Sequence, residues 1–385
     1  MTTHDSYPSA LSGASFHILP REGQTARRLA LFFGAKDLRE GHFNFFQLGR
    51  ELPSHVAFFN NGTNEWYQYG IPGFADSFEA CVALIRAWAE SLEATEICCV
   101  GTSMGGWGAI RYGAALDARV LAFSSDVTLD DPASRSYKYF NGLTPVPCPD
   151  LRMALEGSNA RITLIVGERD PTDLHAASLL GQCPQVQTRS IVGCGHIVPS
   201  HLTVNGRLGP LLREFLTGSP LESLDDEGQA LGNSAYIDAI YLAQKAWVAG
   251  DWATVAHQAE KALEHMPCGE AGELLLGSAR LKMADAQGAI APLTSAAVTA
   301  PAREPEALVL LAMAWRNVGA YDRAVQLANA VLRNHPGDPR PHYTLALIAK
   351  TRGDLHAAHL HAKAALRRAP GNLAYRSFLQ GLPPP

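Results

Sequence analysis

The sequence has no apolar run of about 18 residues, the length that a membrane-spanning helix needs, so no membrane span is predicted. Cysteine is scarce: the seven cysteines form an odd set without the spacing of a disulfide framework, and we expect them to be reduced. An excess of positive charge is also missing, since the net charge is −5, which gives no case for nucleic acid or an anionic membrane as a partner. Residues 1–10 are polar and lack the apolar core of a signal peptide. Together these absences predict a cytoplasmic protein.

The composition that is present is that of a globular protein in two parts. Hydrophobic residues make up 47% of the 385 residues and charged residues 18%, and this length favours two domains. The composition changes after about residue 218, where a polar and acidic stretch begins. We therefore predict a first domain over residues 1–218, a linker over 219–233 and a second domain over 234–385.

The most informative motif is Gly101-Thr-Ser-Met-Gly105, which has the pattern G-x-S-x-G. It follows a short apolar run, residues 97–100, that is typical of a buried strand, and a helix-like segment begins at about Gly106. In this strand–turn–helix setting the turn is tight, and glycine on both sides of Ser103 avoids crowding. The hydroxyl of Ser103 is then expected above the edge of a sheet, beside a helix N-terminus.

An acid and a histidine follow two later predicted strands. Asp170 comes just after the apolar run 161–167, and His196 comes just after the β-rich run 186–192. Functional groups of open α/β sheets lie beyond the carboxyl ends of the strands, and Ser103, Asp170 and His196 all have this position. The three side chains are therefore expected near one another.

The order Ser103, Asp170, His196 resembles that of the α/β-hydrolase superfamily, and the resemblance covers about residues 14–217. It implies a three-layer α/β sandwich with a mostly parallel sheet. It also implies Ser103 as nucleophile, His196 as general base and then acid, and Asp170 as the carboxylate that orients the imidazole. Other residues stay open as alternatives: Asp173, Glu168 or Asp126 for the acid, and His201 for the histidine.

The resemblance further implies an oxyanion hole of two backbone N–H groups. One belongs to Met104, directly after the nucleophile. The other is expected after the predicted strand 28–33, with Ala35 ahead of Gly34 and Lys36. The chain lacks the His-Gly pair that many family members carry there. Gly34 and Lys36 are also candidates for contacting the substrate.

Two further segments are candidates for shaping a pocket. Residues 60–73 form a polar and aromatic loop in which Asn61 could hydrogen-bond a substrate and Trp66 and Tyr67 could stack on it. The alternative is a rigid loop that packs its own aromatic side chains. Residues 128–159 look like a small lid.

The second domain carries a repeat. Prolines recur at spacings of 34, 35 and 34 residues, at Pro267, Pro301, Pro336 and Pro370. Each closes a segment of similar pattern, and the four copies resemble the tetratricopeptide repeat, a helix–turn–helix of 34 residues. The resemblance implies an all-α solenoid that binds a protein or peptide, with residues 372–382 as a capping helix. Dimerisation of the protein, or bracing of the first domain, is the alternative role.

We predict a serine hydrolase that cleaves an ester or thioester through an acyl-enzyme, without a metal or cofactor. The substrate is expected to be a small-molecule or glycan-linked acyl ester. Two alternatives stay open. An O-acyltransferase would pass the acyl group to a sugar or another alcohol, and a non-catalytic adaptor would use only the repeats. His356, His359 and His361 have a spacing that hints at a metal, but on an Ala-rich repeat helix they are expected at the surface or in packing.

Overall fold

The computed structural model describes residues 11–21, 27–140, 146–224, 227–299 and 305–384. The chain divides into two compact units, Met1–Ile237 and Asp238–Pro385. Within the described ranges, no helix combines the length and the apolar character that crossing a bilayer would need.

The N-terminal unit is built on a sheet of seven strands in the order β1-β3-β2-β4-β5-β6-β7. Strand β1 is antiparallel to its neighbour, β3, and the other pairs among these strands are parallel. Parallel strands place their carboxyl ends at one edge, so the segments that leave β2, β4, β6 and β7 are gathered there. The strands are β1 (Phe16–Leu19), β2 (Arg28–Phe33), β3 (His55–Phe59), β4 (Glu96–Thr102), β5 (Arg119–Phe123), β6 (Arg161–Gly167) and β7 (Val186–Ile191).

Helices pack on both faces of this sheet. On one face, Phe32, Val100 and Leu121 form a buried cluster with Leu212 and its neighbours from the last two helices of the unit. On the other face, α3 packs against β2, β4 and β5. The helices are α1 (Phe46–Gly49), α2 (Phe78–Ser91), α3 (Met104–Ala115), α4 (Tyr137–Phe140), α5 (Leu151–Leu155), α6 (Pro171–Leu180), α7 (Val198–Val204) and α8 (Leu208–Thr217).

The stretch that composition marks as a linker is folded onto the sheet where the structure describes it. The N–H of Gly228 donates to the carbonyl of Ser190 in β7 at 2.8 Å. The N–H of Ala230 donates to the buried carboxylate of Glu168 at 2.7 Å. In its described part, the predicted linker, residues 219–233, is therefore held against the N-terminal unit. The stretch is polar overall, but some of its apolar side chains, such as that of Leu224, are buried.

The C-terminal unit is all α in its described part, and from the helix that begins at Trp252 onward each helix packs on the next. Pro267, Pro336 and Pro370 follow the second helix of the first, third and fourth pairs, as the repeat predicts, while Pro301 lies outside the described residues. The pairs are α9 (Ser234–Ala249) with α10 (Trp252–His265), α11 (Glu270–Lys282) with α12 (Ala286–Thr299), α13 (Glu306–Asn317) with α14 (Tyr321–Asn334), and α15 (Pro339–Thr351) with α16 (Leu355–Arg368).

Alanines line the contacts between these helices. Ala259, Ala289, Ala328 and Ala362 are fully buried, and their small side chains let the helix axes approach closely. A last helix, α17 (Leu373–Gln380), follows the fourth pair. Its Phe378 and Leu379 and the following Leu382 pack on buried alanines of α15 and α16, as expected for a capping helix.

Candidate active site

Ser103 occupies a strained turn between β4 and α3. Its backbone has φ 55° and ψ −122°, a conformation that is uncommon for a residue with a side chain. A Cβ on Gly101 would collide with the carbonyl of Gly105, and a Cβ on Gly105 would collide with that of Phe33. Both glycines of the motif are therefore required by close backbone approach, and the turn presents Ser103 at the carboxyl edge of the sheet.

A hydrogen-bonded chain runs from this serine through a histidine to a carboxylate. The Nε2 atom of His196 lies 3.0 Å from the Oγ of Ser103. Its Nδ1 atom lies 2.8 Å from one oxygen of Asp173 and 3.1 Å from the other. An ionised carboxylate only accepts hydrogen bonds, so the Nδ1–H donates to Asp173 and leaves Nε2 as acceptor for the serine hydroxyl. This is the tautomer that a general base needs.

The carboxylate on His196 is Asp173, so the expectation that Asp170 has this place is corrected. Asp170 caps the N-terminus of α6 and accepts from the N–H of Asp173 at 3.0 Å. Pro171 then starts the helix, and one turn brings Asp173 under the imidazole. Asp173 is 1% exposed. An acid at the third position of a helix, after a capping Asp-Pro, was the sequence signal available for it.

Arg135, which sequence reasoning missed, holds the two aspartates together. Its guanidinium donates to Asp173 at 3.0 Å and also to Asp170. It comes from the predicted lid, residues 128–159, of which 141–145 lie outside the described residues. Its side chain is about 30% exposed, so this ion pair is only partly shielded from water. The cation offsets the repulsion between two acids that are three residues apart.

The charges of this cluster shift one another's pKa values. Burial raises the pKa of Asp173, but the charges of His196 and Arg135 lower it more, and the net pKa is below the ordinary value. For His196, burial lowers the pKa and the adjacent Asp173 carboxylate raises it, with a net rise above 6.5. Burial raises the pKa of Asp126, the alternative acid from the end of β5, to about 6, and Arg135 moderates this rise. Asp173 thus stays ionised to lower pH than Asp126 does.

The same cluster has the donor set of a metal site. Among the described residues, ligand atoms of Asp170, Asp173 and His196 lie within 4.8 Å of one another. Arg135 already donates to both carboxylates, and the second nitrogen of His196 faces Ser103. A guanidinium in this place would repel a cation, so the arrangement fits a serine triad better than a metal centre.

The two predicted oxyanion donors differ in whether their backbone N–H groups already donate to an acceptor. Met104 is the first residue of α3, so its N–H has no acceptor within the helix. The N–H of Ala35 donates to the Oδ1 of Asn44 at 2.7 Å, so the expectation that it is open to an oxyanion is corrected for this structure. The N–H of Gly34 donates to Phe59 at 2.8 Å, and Lys36 pairs with the carboxylate next to it in sequence, so neither is set up as a substrate contact.

The aromatic loop is held by hydrogen bonds within it and by packing of its aromatic side chains against other segments. Asn61 accepts from the N–H of Glu65 at 2.9 Å, and the Tyr67 hydroxyl donates to Gly34 at 3.0 Å. Trp66 is fully buried, with ring centroids 5.0 Å from Tyr139. The expectation that Asn61, Trp66 and Tyr67 bind substrate is therefore corrected: they hold the loop in shape.

The two other alternative residues have different surroundings. Glu168 accepts from the Ser190 hydroxyl at 2.8 Å and from Ala230. His201 is buried within α7, one turn beyond the segment that carries His196. Of the two histidines, His196 is the one whose ring nitrogen reaches Ser103.

A cavity of about 760 Å³, which sequence reasoning did not predict, opens beside Thr102. Its walls come from the segment after β2, residues 38–48, and from residues 199–203 of α7. The aromatic cluster Phe43, Phe45 and Phe46 was the sequence signal available for it.

No protein-family model and no curated protein matches the chain. Similar solved structures include MamA, with 17% identity and a TM-score of 0.34 over 38% of this chain and 79% of that one. They also include YrrB, titled a TPR protein with an unusual peptide-binding site, with 19% identity and a TM-score of 0.35 over 46% of this chain and 87% of that one. A thermophilic TPR protein in Thermus thermophilus has 16% identity and a TM-score of 0.34 over 48% and 95% of the two chains. At these TM-scores the likeness says nothing about function.

Proposed function

We propose that the N-terminal unit is a serine hydrolase that cleaves an ester or thioester. One observation carries the proposal: the hydrogen-bonded chain Ser103–His196–Asp173, with 3.0 Å and 2.8 Å between the partners. A serine hydroxyl is a weak nucleophile until a base in contact takes its proton, and His196 is in contact with it. The strained turn that holds Ser103 supports the same reaction, because it exposes the hydroxyl.

The reaction follows from these contacts. Ser103 Oγ attacks the carbonyl carbon of the substrate, and its proton passes to Nε2 of His196. Asp173 stabilises the imidazolium, while the N–H of Met104 faces the oxyanion at the N-terminus of α3. Collapse of the tetrahedral intermediate breaks the bond to the alcohol or thiol, which leaves with the proton of His196. Water then attacks the acyl-serine, His196 takes its proton, and the free acid leaves with Ser103 regenerated.

The arrangement of the unit supports the resemblance to α/β-hydrolases. The nucleophile follows β4, the acid lies in the helix after β6, and the histidine follows β7. All three reach the edge where the carboxyl ends of parallel strands meet.

The proposal is tested by labelling the wild type, Ser103→Ala and His196→Ala with a fluorophosphonate probe. We expect covalent labelling of the wild type, none of Ser103→Ala, and a rate lower by at least about 10³-fold for His196→Ala. A folded wild type that resists the probe and cleaves none of a panel of 4-nitrophenyl esters and thioesters would contradict the hydrolase. Added alcohols in the same assay measure whether the acyl group goes to an acceptor, as in the O-acyltransferase alternative.

For the C-terminal unit, we propose that the tetratricopeptide-like helix pairs bind a protein or peptide. Support comes from four helix pairs of regular spacing with a terminal capping helix. Affinity capture with the full chain, followed by competition with the isolated partner, tests this role. Sedimentation of the purified chain tests the alternative that the pairs dimerise the protein.

A further inference from the structure

Three segments that contribute to the wall of the cavity also carry residues of the proposed active site or contact them. Thr102 directly precedes Ser103, and Pro199 and Ser200 follow His196 by three and four residues. Asn44, also in the wall, accepts the hydrogen bond of the Ala35 N–H. The walls therefore belong to the segments that position the nucleophile, the base and the second expected oxyanion donor.

The apolar part of the wall is fixed by packing. Phe45 packs on Phe32 and Phe123, with ring centroids 5.8 Å and 6.2 Å apart, and Phe46 packs on Phe58 at 5.0 Å. Phe45 has φ 61°, a left-handed conformation that persists only where the surroundings hold it. Aromatic side chains that pack on the sheet make a preformed wall, which loses little entropy when a ligand binds.

The charge of the lining limits the ligand. The residues of the described chain that line the cavity include no Asp, Glu, Lys or Arg. Of the two histidines there, His17 has its pKa lowered by burial, which disfavours its charged form. Uncharged polar groups such as Gln47 and Thr203 complete the lining. A charged ligand would lose its hydration here without gaining a partner.

We propose that this cavity binds the acyl part of the substrate, and that this part is an uncharged apolar group considerably larger than acetyl. The inference rests on the proposed serine hydrolase function and goes beyond it by naming the substrate class. The volume, about 760 Å³, lies in the range of small-molecule sites and far exceeds the need of an acetyl group. During the reaction the carbonyl carbon bonds to Ser103 Oγ, the bond to the leaving oxygen or sulfur breaks, and the apolar tail stays in the cavity.

The first test is a series of 4-nitrophenyl esters with the same leaving group: acetyl, butyryl, hexanoyl, octanoyl and succinyl. Burial of each methylene raises kcat/KM by about fourfold, so we expect hexanoyl to exceed acetyl by at least about tenfold. Succinyl, which carries a negative charge, is expected to react more slowly than butyryl of the same chain length. An enzyme that labels with the fluorophosphonate and cleaves acetyl and octanoyl esters equally would overturn the acyl site while leaving the hydrolase intact.

The second test fills the cavity with Thr203→Trp and compares it with Val204→Trp. Thr203 lines the cavity, whereas Val204, its neighbour in α7, is 76% exposed and does not. We expect Thr203→Trp to lower kcat/KM for the octanoyl ester by about tenfold or more and to lower kcat/KM for the acetyl ester much less. Val204→Trp is expected to change neither. Equal effects of the two variants on the octanoyl ester, or a loss on acetyl as large as on octanoyl, would overturn the proposal. If Thr203→Trp does not fold, Ser200→Trp in the same wall replaces it.

Discussion

Asp170 and Asp173 lie one helical turn apart and share Arg135, yet only one of them contacts His196. Asp170 satisfies an N–H at the start of α6, a need of the fold. Asp173 fixes the imidazole, a need of the proposed chemistry. Because the two acids have the same side chain, the structure offers a matched pair of substitutions.

We predict that Asp173→Asn lowers kcat for ester hydrolysis by about 10³- to 10⁴-fold, because an amide favours the wrong tautomer of His196. Asp170→Asn should lower it by less than about tenfold, since asparagine caps a helix as well as aspartate does. Steady-state kinetics with one ester, together with the melting temperature of each variant, make the comparison. A larger loss for Asp170→Asn would return the role of triad acid to that residue.

Arg135 should shift the pH at which the proposed hydrolase becomes active. His196 acts as a base only when neutral, so kcat/KM rises as pH passes the pKa of His196, which lies above 6.5. The charge of Arg135 lowers that pKa. Arg135→Gln should therefore raise it, and the acidic limb of the kcat/KM profile should move to higher pH.

Arg135→Lys keeps the charge and serves as the control, with a limb closer to that of the wild type. The labelling rate with fluorophosphonate, measured across pH, gives a second profile that does not depend on substrate binding. Superimposable profiles for the wild type and Arg135→Gln would contradict this influence on His196.

At this scale the sequence predicted that Ser103 and His196 lie near each other, as they do, but it favoured Asp170 over Asp173 as the carboxylate beside the histidine. Ser103 and His196 sit in turns with a recognisable pattern after strands. Asp170 has the same kind of position, but the distance that decides the acid depends on how α6 starts. Arg135 lies in a polar segment without a recognisable motif. Its importance comes from its contact with the two aspartates at the start of α6, which forms only when the chain folds.

At the scale of the elements, the turn between the two helices of each pair contains a left-handed residue, and in one pair this residue is not glycine. Gly250, Gly319 and Gly353 have φ between 74° and 82° at these turns, and Ala284 has φ 62° at the turn of the second pair. A left-handed conformation costs a residue with a Cβ roughly 1–2 kcal/mol, and glycine avoids this cost. The turn of the second pair therefore carries a conformational strain that the glycine turns of the other three pairs avoid.

We predict that Ala284→Gly raises the free energy of unfolding by about 0.5–1 kcal/mol, the relief of strain less the greater freedom of glycine in the unfolded chain. Gly319→Ala should lower it by a similar amount. A Cβ at Gly319 would have no atom within 4 Å, so its effect is conformational alone. Denaturant unfolding monitored by helical circular dichroism measures both. Destabilisation by Ala284→Gly would contradict the strain.

Helical elements were easier to predict than the connection between the units. Proline spacing located the pair ends because proline cannot continue a helix, and this depends on local chain alone. The stretch 219–233 was predicted as a linker because its polar residues outnumber apolar ones such as Leu224 and Ala230. Their burial depends on β7 and Glu168, which are distant in sequence.

Considered as a whole molecule, the chain has separate cores. The N-terminal unit has the apolar cluster beneath α7 and α8, and the C-terminal unit has its own clusters of alanine and leucine. The division at residues 237 and 238 falls a few residues beyond the boundary that composition suggests. A substitution in one core should therefore change mainly the stability of the unit that contains it.

We predict that Ala362→Leu, which overpacks a fully buried site in α16, lowers the stability of the C-terminal unit by about 1–3 kcal/mol. Ester hydrolysis at 25 °C should stay unchanged. Lys363→Leu, at the exposed neighbouring position, is the control and should have little effect. Calorimetry of the full chain should show one of two transitions shifted. A parallel fall in hydrolysis would show that the units depend on each other.

The segment folded onto β7 has a consequence for the chain while it is still being made. β7 is the last strand of the sheet, and Ile191 bridges to Glu227 while Arg189 forms an ion pair with it. An uncovered edge strand is a template for pairing with other molecules. A nascent or truncated chain that stops before residue 227 would carry the complete triad and still expose that edge. Fragments cut there should aggregate, whereas fragments that extend through residue 237 should stay dispersed.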